Sequence, residues 1–410
     1  MPLSSDNIKA IFDALDDDED KADYTGSELN TLEVFDAGDD VDLPPPRGLL
    51  LGGNQFARGF LSSLIAPGAV GKTSLRNAQF VSLASGRALT GQHIFRRCRV
   101  LMLSLEDGVV EIRRRILACR LHHRVELDEI KDWLFYAAPK GLRLAELHRG
   151  SIKIGSLRDQ LRIQIEKLQP DIVSLDPLVK AHSLDENNNG QMDFLGDLLA
   201  SLAEDYDIAV EVPHHARNGL TSPGDVDSGR GASAIANAAR LVFTLTQMSE
   251  DEAKLFGIDP IDRRQYLRLD NAKVNIARPS LKATWFKLVS INLDNRTDEY
   301  PYGDEVQTVE PWSPPELWKN VSSVTLNAIL TEIDAGLPDG QRYSDSATAG
   351  DDKAAWRVVQ KHCHDHTEGQ CREIIKAWVK NGLLVSETYY NKVERKDRKG
   401  LRVDNTKRPT

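Results

Sequence analysis

The chain has no apolar run of eighteen residues, and no basic-then-apolar leader at its start, so a membrane-inserted or secreted protein is not expected. Its four cysteines, Cys98, Cys119, Cys363 and Cys371, show no CxxC spacing. That usage fits a reducing compartment, and the cytoplasm is the expected location. No repeat of 20–50 residues is visible, which argues against a solenoid or a propeller. What is present is ordinary for a soluble chain: 28% charged residues and a mean hydropathy of −0.40 over 410 residues. That length suits two or more folded units.

Charge is distributed unevenly. The whole chain carries −10, but residues 1–45 alone carry fourteen acidic residues and two lysines, a net −12, leaving +2 elsewhere. The stretch 1–46, with Asp16-Asp17-Asp18-Glu19-Asp20 and a short helical pattern over Asn7–Leu15, reads as a flexible acidic arm. The far end is basic, with Lys392, Arg395, Lys396, Arg398, Lys399 and Arg402 within a dozen residues. An acidic head and a basic tail call for local reasoning about a nucleic-acid partner rather than an argument from net charge.

Between these ends, residues 47–306 alternate apolar runs with helical patterns, the signature of an α/β domain with a largely parallel sheet. Its informative stretch is Ala66-Pro67-Gly68-Ala69-Val70-Gly71-Lys72-Thr73-Ser74, set between an apolar strand pattern and a helical one. Glycines let backbone amides curl around an anion, and the helix start adds partial positive charge, so this is a phosphate-binding loop. Lys72 would reach the outer phosphates, and the Thr73 hydroxyl would hold Mg²⁺. Ala66 stands where the motif has its first glycine, a small change if that residue keeps a negative φ.

Three further apolar runs end in polar residues: Glu106-Asp107, Asp176, and His214-His215. In open α/β sheets the carboxyl ends of the strands face the ligand, so all of these are expected to converge on one nucleotide. Asp176 reads as the acidic partner of Mg²⁺. Glu106 reads as general base, with Asp107 as the alternative, and His215, ahead of His214, as the group sensing the γ-phosphate. The glycine-containing loop between Arg217 and Arg230 is a candidate coupling element that contacts nucleic acid. Later runs near 241–245, 266–269 and 285–291 read as antiparallel strands finishing the sheet.

On these residues, together with Ser104-Leu105-Glu106-Asp107, Pro213–Arg217, Gly229–Ser233 and Asn271–Asn275, the stretch 58–292 resembles a known core. It is similar to the RecA-like ATPase core of plasmid-type RepA hexameric replicative helicases and, more distantly, of DnaB-type helicases. The resemblance implies ATP and Mg²⁺ as cofactors, Glu106 as base, and a homo-oligomeric ring, a hexamer, acting on single-stranded DNA. It also implies an arginine reaching into the neighbouring subunit's site, Arg240 with Arg230 as runner-up, and a cation on a late strand, Lys273. Asn275 stands where DnaB-like members carry arginine, which leaves that task to Arg240 or Lys273.

Past a proline-rich linker at 307–318, residues 319–410 read as three helices and two strands, which resembles a winged-helix domain. Arg372, Lys376 and Lys380 would line its recognition helix, and Lys392 with Tyr389 and Tyr390 its wing. Such units bind DNA or a protein, for instance a replication initiator. The His362–His366 cluster with Cys371 matches no ordinary zinc finger and reads as a turn. Two functions remain: a ring-forming DNA helicase or translocase of plasmid, phage or integrated-element type, and a DNA-binding ATPase switch without helicase activity, such as a loader, recombination mediator or regulator. A third reading has the last domain bind protein while the acidic arm occupies the ring channel.

Overall fold

The computed structural model describes residues 34–39, 42–216, 223–225, 232–280, 282–315 and 321–408. It divides into two units, Met1–Pro46 and Arg47–Thr410. Arg217, Arg230 and the helix expected over Asn7–Leu15 lie outside the described residues. Of the first unit, the described part holds one short turn, Ala37–Asp39, and presents Val34, Phe35 and Leu43 to solvent.

The second unit opens with a hairpin of β1 (Leu49–Leu51) and β2 (Gln55–Ala57). Then come β3 (Leu61–Ala66), α1 (Lys72–Ser85), β4 (Val100–Ser104), α2 (Val109–His123), α3 (Leu127–Ile130) and β5 (Leu134–Ala137). A small hairpin of β6 (Ala145–His148) and β7 (Ser151–Ile154) precedes α4 (Ser156–Leu168), β8 (Ile172–Asp176), α5 (Asn189–Asp205) and β9 (Ala209–His215). After α6 (Ala232–Ala238) and β10 (Leu241–Gln247) the chain adds α7 (Glu250–Phe256), β11 (Tyr266–Val274), β12 (Thr284–Asn292) and β13 (Glu305–Trp312).

Nine of these strands form one sheet in the order β13-β12-β11-β10-β3-β9-β8-β4-β5. The six from β10 to β5 are mutually parallel, and the last three are antiparallel. Helices cover both faces, so every residue of β3 is buried, and its two serines, Ser62 and Ser63, donate their hydroxyls to Val210 O and Val212 O of β9. Leu75 and Phe80 of α1 pack on one face, and Leu161 of α4 with Leu195 and Leu199 of α5 on the other. The α/β class and the mostly parallel central sheet expected from the sequence are borne out. The strand bearing Asp176 lies one strand removed from the phosphate-loop strand, with β9 between them.

Two expectations need correction. β10 runs parallel to β3, because α6 carries the chain back across the sheet before β10 begins. The linker read from 307 holds β13, paired with β12 from Asn292↔Glu305 to Trp285↔Trp312. Its Pro311 is tolerated because β13 is the outermost strand, where a missing N–H can face away from the ladder.

The chain continues through α8 (Ser323–Ala335), α9 (Ala355–His362), α10 (Glu368–Lys380) and the hairpin of β14 (Leu384–Asn391) and β15 (Lys396–Val403). These elements close over their own apolar core of Ile329, Trp356, Ile374, Trp378 and Leu401. Thr367 caps α10 through a capping box and donates its hydroxyl to Leu255 O of α7 at 3.2 Å. At Gly369 a Cβ would come within 2.8 Å of Lys254 O, so glycine permits this close approach. The amino end of α10 is therefore seated on α7.

Candidate nucleotide site

The sheet register decides what meets at its upper edge. Ala66, the last residue of β3, pairs with His215 of β9, and Ser104 of β4 pairs with Asp176 of β8. The loop after β3, the carboxylates after β4, the acid ending β8 and the histidine ending β9 thus share one edge, as the sequence predicts for Lys72, Glu106, Asp176 and His215.

The loop Pro67–Gly71 turns sharply into α1. Gly71 is the helix N-cap at φ 107°, a region that favours glycine, and a Cβ there would meet Leu267 Cδ1 at 3.0 Å. Ala69 also takes a positive φ, 60°, while Gly68 has open space around it. No side chain caps α1, which leaves the amides of its first turn for a ligand. Lys72 is 5% exposed, and its Nζ lies 3.3 Å from Asp176 Oδ1 without a well-formed hydrogen bond among the described residues. A buried ammonium with spare donors, at an uncapped helix start, fits a polyanionic phosphate chain. Thr73 and Asp176 line one small hollow, and their oxygens are the hard donors that Mg²⁺ prefers. Ser74 is buried behind them, and Val70 packs into the core.

Glu106 and Asp107 differ in their commitments. Asp107 ion-pairs with Arg115 of α2 at 3.2 Å, and its amide donates to Ser104 Oγ at 3.0 Å. Glu106 is exposed and, among the described residues, forms no hydrogen bond or ion pair, though its charge acts on His215. Partial burial, then the Lys72 charge, lower the His215 pKa against the opposing pull of Asp176, Glu106 and Glu186. The imidazole is therefore neutral at neutral pH. His214 is buried, which leaves His215 as the one presented at the edge.

Glu186 was not singled out in the sequence. It lines a hollow of about 170 Å³ with Pro177, His214 and His215, and only the position of its loop past Asp176 hinted at this. The buried polar cluster under α1 was also missed: Arg76, Glu211, Gln55, Gln79 and Ser174. No motif announces residues so far apart in the chain.

Arg240 and Lys273 do not join this site. Arg240 N donates to Leu61 O at 3.0 Å, at the opposite end of β3 from Lys72, and its side chain is exposed. Lys273 Nζ donates to Ala236 O and Asn237 O, both at 2.9 Å, and so caps the carboxyl end of α6. Burial, then the Arg240 charge, lower its pKa. Arg372 is bonded to Glu368 at 2.8 Å and stacks over Trp356, and Lys376 is bonded to Glu373 at 2.6 Å. Lys380 and Lys392 are exposed, the latter in the turn between β14 and β15 rather than in a strand.

A family model described as an AAA domain matches residues 25–219, just under half of the chain. The chain is similar to AAA domains over that stretch. It contains the phosphate loop, Glu106, Asp176 and His215, and the match supports an NTP-hydrolysing reading of the site. Among solved structures, one described as an ATPase domain is similar at 14% identity and a TM-score of 0.41, covering 61% of this chain and 85% of that one. Among the described residues no helix is long and apolar enough to cross a membrane.

Proposed function

We propose that the protein is an ATP-hydrolysing, ring-forming DNA helicase or translocase of the plasmid, phage or integrated-element type. The observation that carries the ATPase part is the buried Lys72 ammonium at the uncapped start of α1, 3.3 Å from Asp176 and without a hydrogen bond among the described residues. Backbone N–H groups from Gly68 to Ser74 wrap the phosphates, with Pro67, which has no N–H, shaping the turn, and Lys72 Nζ turns from Asp176 to the outer ones. Thr73 Oγ1 and an Asp176 carboxylate oxygen hold Mg²⁺, which when bound neutralises phosphate charge. Glu106 accepts the proton of the attacking water at its carboxylate. His215, neutral and one residue pair from the loop, donates or releases a hydrogen bond as the γ-phosphate departs, and passes that change along β9.

Arg240 completes the site of a neighbouring subunit in this reading, since its own site lies beyond its reach. Single-stranded DNA is the partner in the ring channel, with Arg217 and Arg230 among its contacts. The last unit is of winged-helix type. Because the amino end of α10 is seated on α7, the turn with Lys392 and Arg395 is the better contact with a nucleic acid or a second protein than Arg372, Lys376 and Lys380.

The same seating favours the second reading, an ATPase switch in which the last unit changes its hold on the core instead of gripping DNA through α10. ATP hydrolysis with and without single-stranded DNA, beside Lys72→Ala, separates the two. Stimulation by DNA, lost together with nucleotide binding in the variant, is expected of the motor. Hydrolysis indifferent to DNA favours the switch, and hydrolysis equal in wild type and Lys72→Ala removes both.

A further inference from the structure

Lys72 and Arg76 are four residues apart on α1, so they lie one turn apart on one face of the helix. That face meets a carboxylate at each level. Lys72 pairs with Asp176 at the open edge, and Arg76 Nε pairs with Glu211 Oε1 at 2.8 Å below it. The upper carboxylate keeps 21% of its side-chain surface, whereas the Arg76 and Glu211 side chains keep 2% and 0%.

The lower pair is tied to the strands that carry the site. Ser174 lies directly across from Glu211 in the ladder and donates its hydroxyl to Glu211 Oε2 at 2.8 Å. Asp176 is two residues past Ser174, and His215 four past Glu211, so strand alternation puts all four side chains on the same sheet face. Arg76 Nη1 donates to Gln55 and Gln79, at 2.9 and 2.6 Å. Its Nη2 is buried without a partner among the described residues, beside a hollow of about 30 Å³ that Thr73, Asn77, Ser174 and Asp176 also line.

We propose that Arg76 and Glu211 are a positioning pair, holding α1 in register with β8 and β9 when bound phosphates draw Lys72 away from Asp176. This rests on the nucleotide-site reading. Binding must break the upper pair, since Lys72 is needed by phosphate and Asp176 by the metal. With that pair open, among the described residues only the lower one ties this face of α1 by charge to β8 and β9. A fully buried pair does not exchange partners during turnover, because either charge left alone is strongly destabilising.

Glu211→Gln keeps the shape of the side chain and one acceptor for Arg76. In this variant kcat is expected to fall by about 10–100-fold, with the KM for ATP changed less than about threefold. The control is Asp171→Asn, which weakens the 2.6 Å pair with Arg58 at the other end of β8. It should lower the melting temperature without that split. The nucleotide-free readout is amide exchange over residues 174–176 and 212–216 in Lys72→Ala, where the upper pair is already gone. Adding Glu211→Gln to Lys72→Ala should speed exchange there by more than the product of the two single effects. Multiplicative effects, or a KM and kcat pattern shared with Asp171→Asn, overturn the proposal. Should Glu211→Gln fail to fold, Arg76→Met with Glu211→Met removes both charges and takes the same exchange test; wild-type protection in the Lys72→Ala background overturns it. A wild type without ATPase activity sinks the functional reading and leaves the exchange result to decide this one.

Discussion

At the scale of the residue, the choice between Glu106 and Asp107 turns on what each is already doing. A general base needs an uncommitted carboxylate within reach of water, and Asp107 is held by Arg115 while Glu106 is not held by any described ion pair. Glu106→Gln is expected to lower ATP turnover by about 10²–10⁴-fold while nucleotide still binds. Asp107→Asn, losing a partly exposed ion pair, should cost about 0–1 kcal/mol of stability and far less turnover. Single-turnover hydrolysis beside a binding titration checks both, and the reverse ranking would move the base to Asp107. The sequence carried the residue types here, because Lys72, Asp176 and His215 each end an apolar run or follow the glycine turn. It favoured Glu106 but kept Asp107 as an alternative, since the Arg115 contact that separates them depends on how α2 starts after β4.

At the scale of the element, the hairpin β14–β15 shows how a sequence pattern can be right about form and less complete about charge. Its basic residues are not all at liberty: Glu394 in the turn accepts hydrogen bonds from Arg398, and also ion-pairs with Lys396 and Lys353, both at 3.3 Å. The Arg398 hydrogen bonds, supported by Lys396 and Lys353, pull the Glu394 pKa down to about 2 from 4.5. A folded-state pKa below the unfolded one means that the folded chain binds fewer protons in that interval. The stabilisation is therefore present above 4.5 and is lost as pH falls toward about 2. Urea unfolding followed by the tryptophans of this unit, Trp356 and Trp378, should lose midpoint across that window, and Glu394→Gln should flatten the loss. An unchanged slope would mean that Glu394 is equally well solvated in both states. The other misses at this scale have the same kind of cause. β13 was hidden by Pro311, which an edge strand accommodates, and the direction of β10 depends on a crossover that local periodicity does not encode.

At the scale of the whole molecule, the geometry that removes Arg240 from its own site is what makes it informative. β3 is six residues long, so its two ends are separated by about 17 Å. Arg240 adjoins the beginning of that strand, and Lys72 follows its end after a five-residue loop. One arginine side chain cannot span that distance, so direct contact of Arg240 with a bound phosphate would require the site of a second subunit. Lys273, spent on the end of α6, is the weaker candidate for that reach. Arg240→Ala and Glu106→Gln should each be nearly inactive alone, by about 10³-fold or more if the arginine acts as a trans cation. Mixed together, they assemble some interfaces in which an intact Glu106 faces an intact Arg240, and activity should return in proportion to those interfaces. Recovery that rises with total protein concentration would tie it to assembly. No recovery, with Arg240→Ala as active as wild type, would make each subunit self-sufficient and leave the switch as the reading that the site still supports.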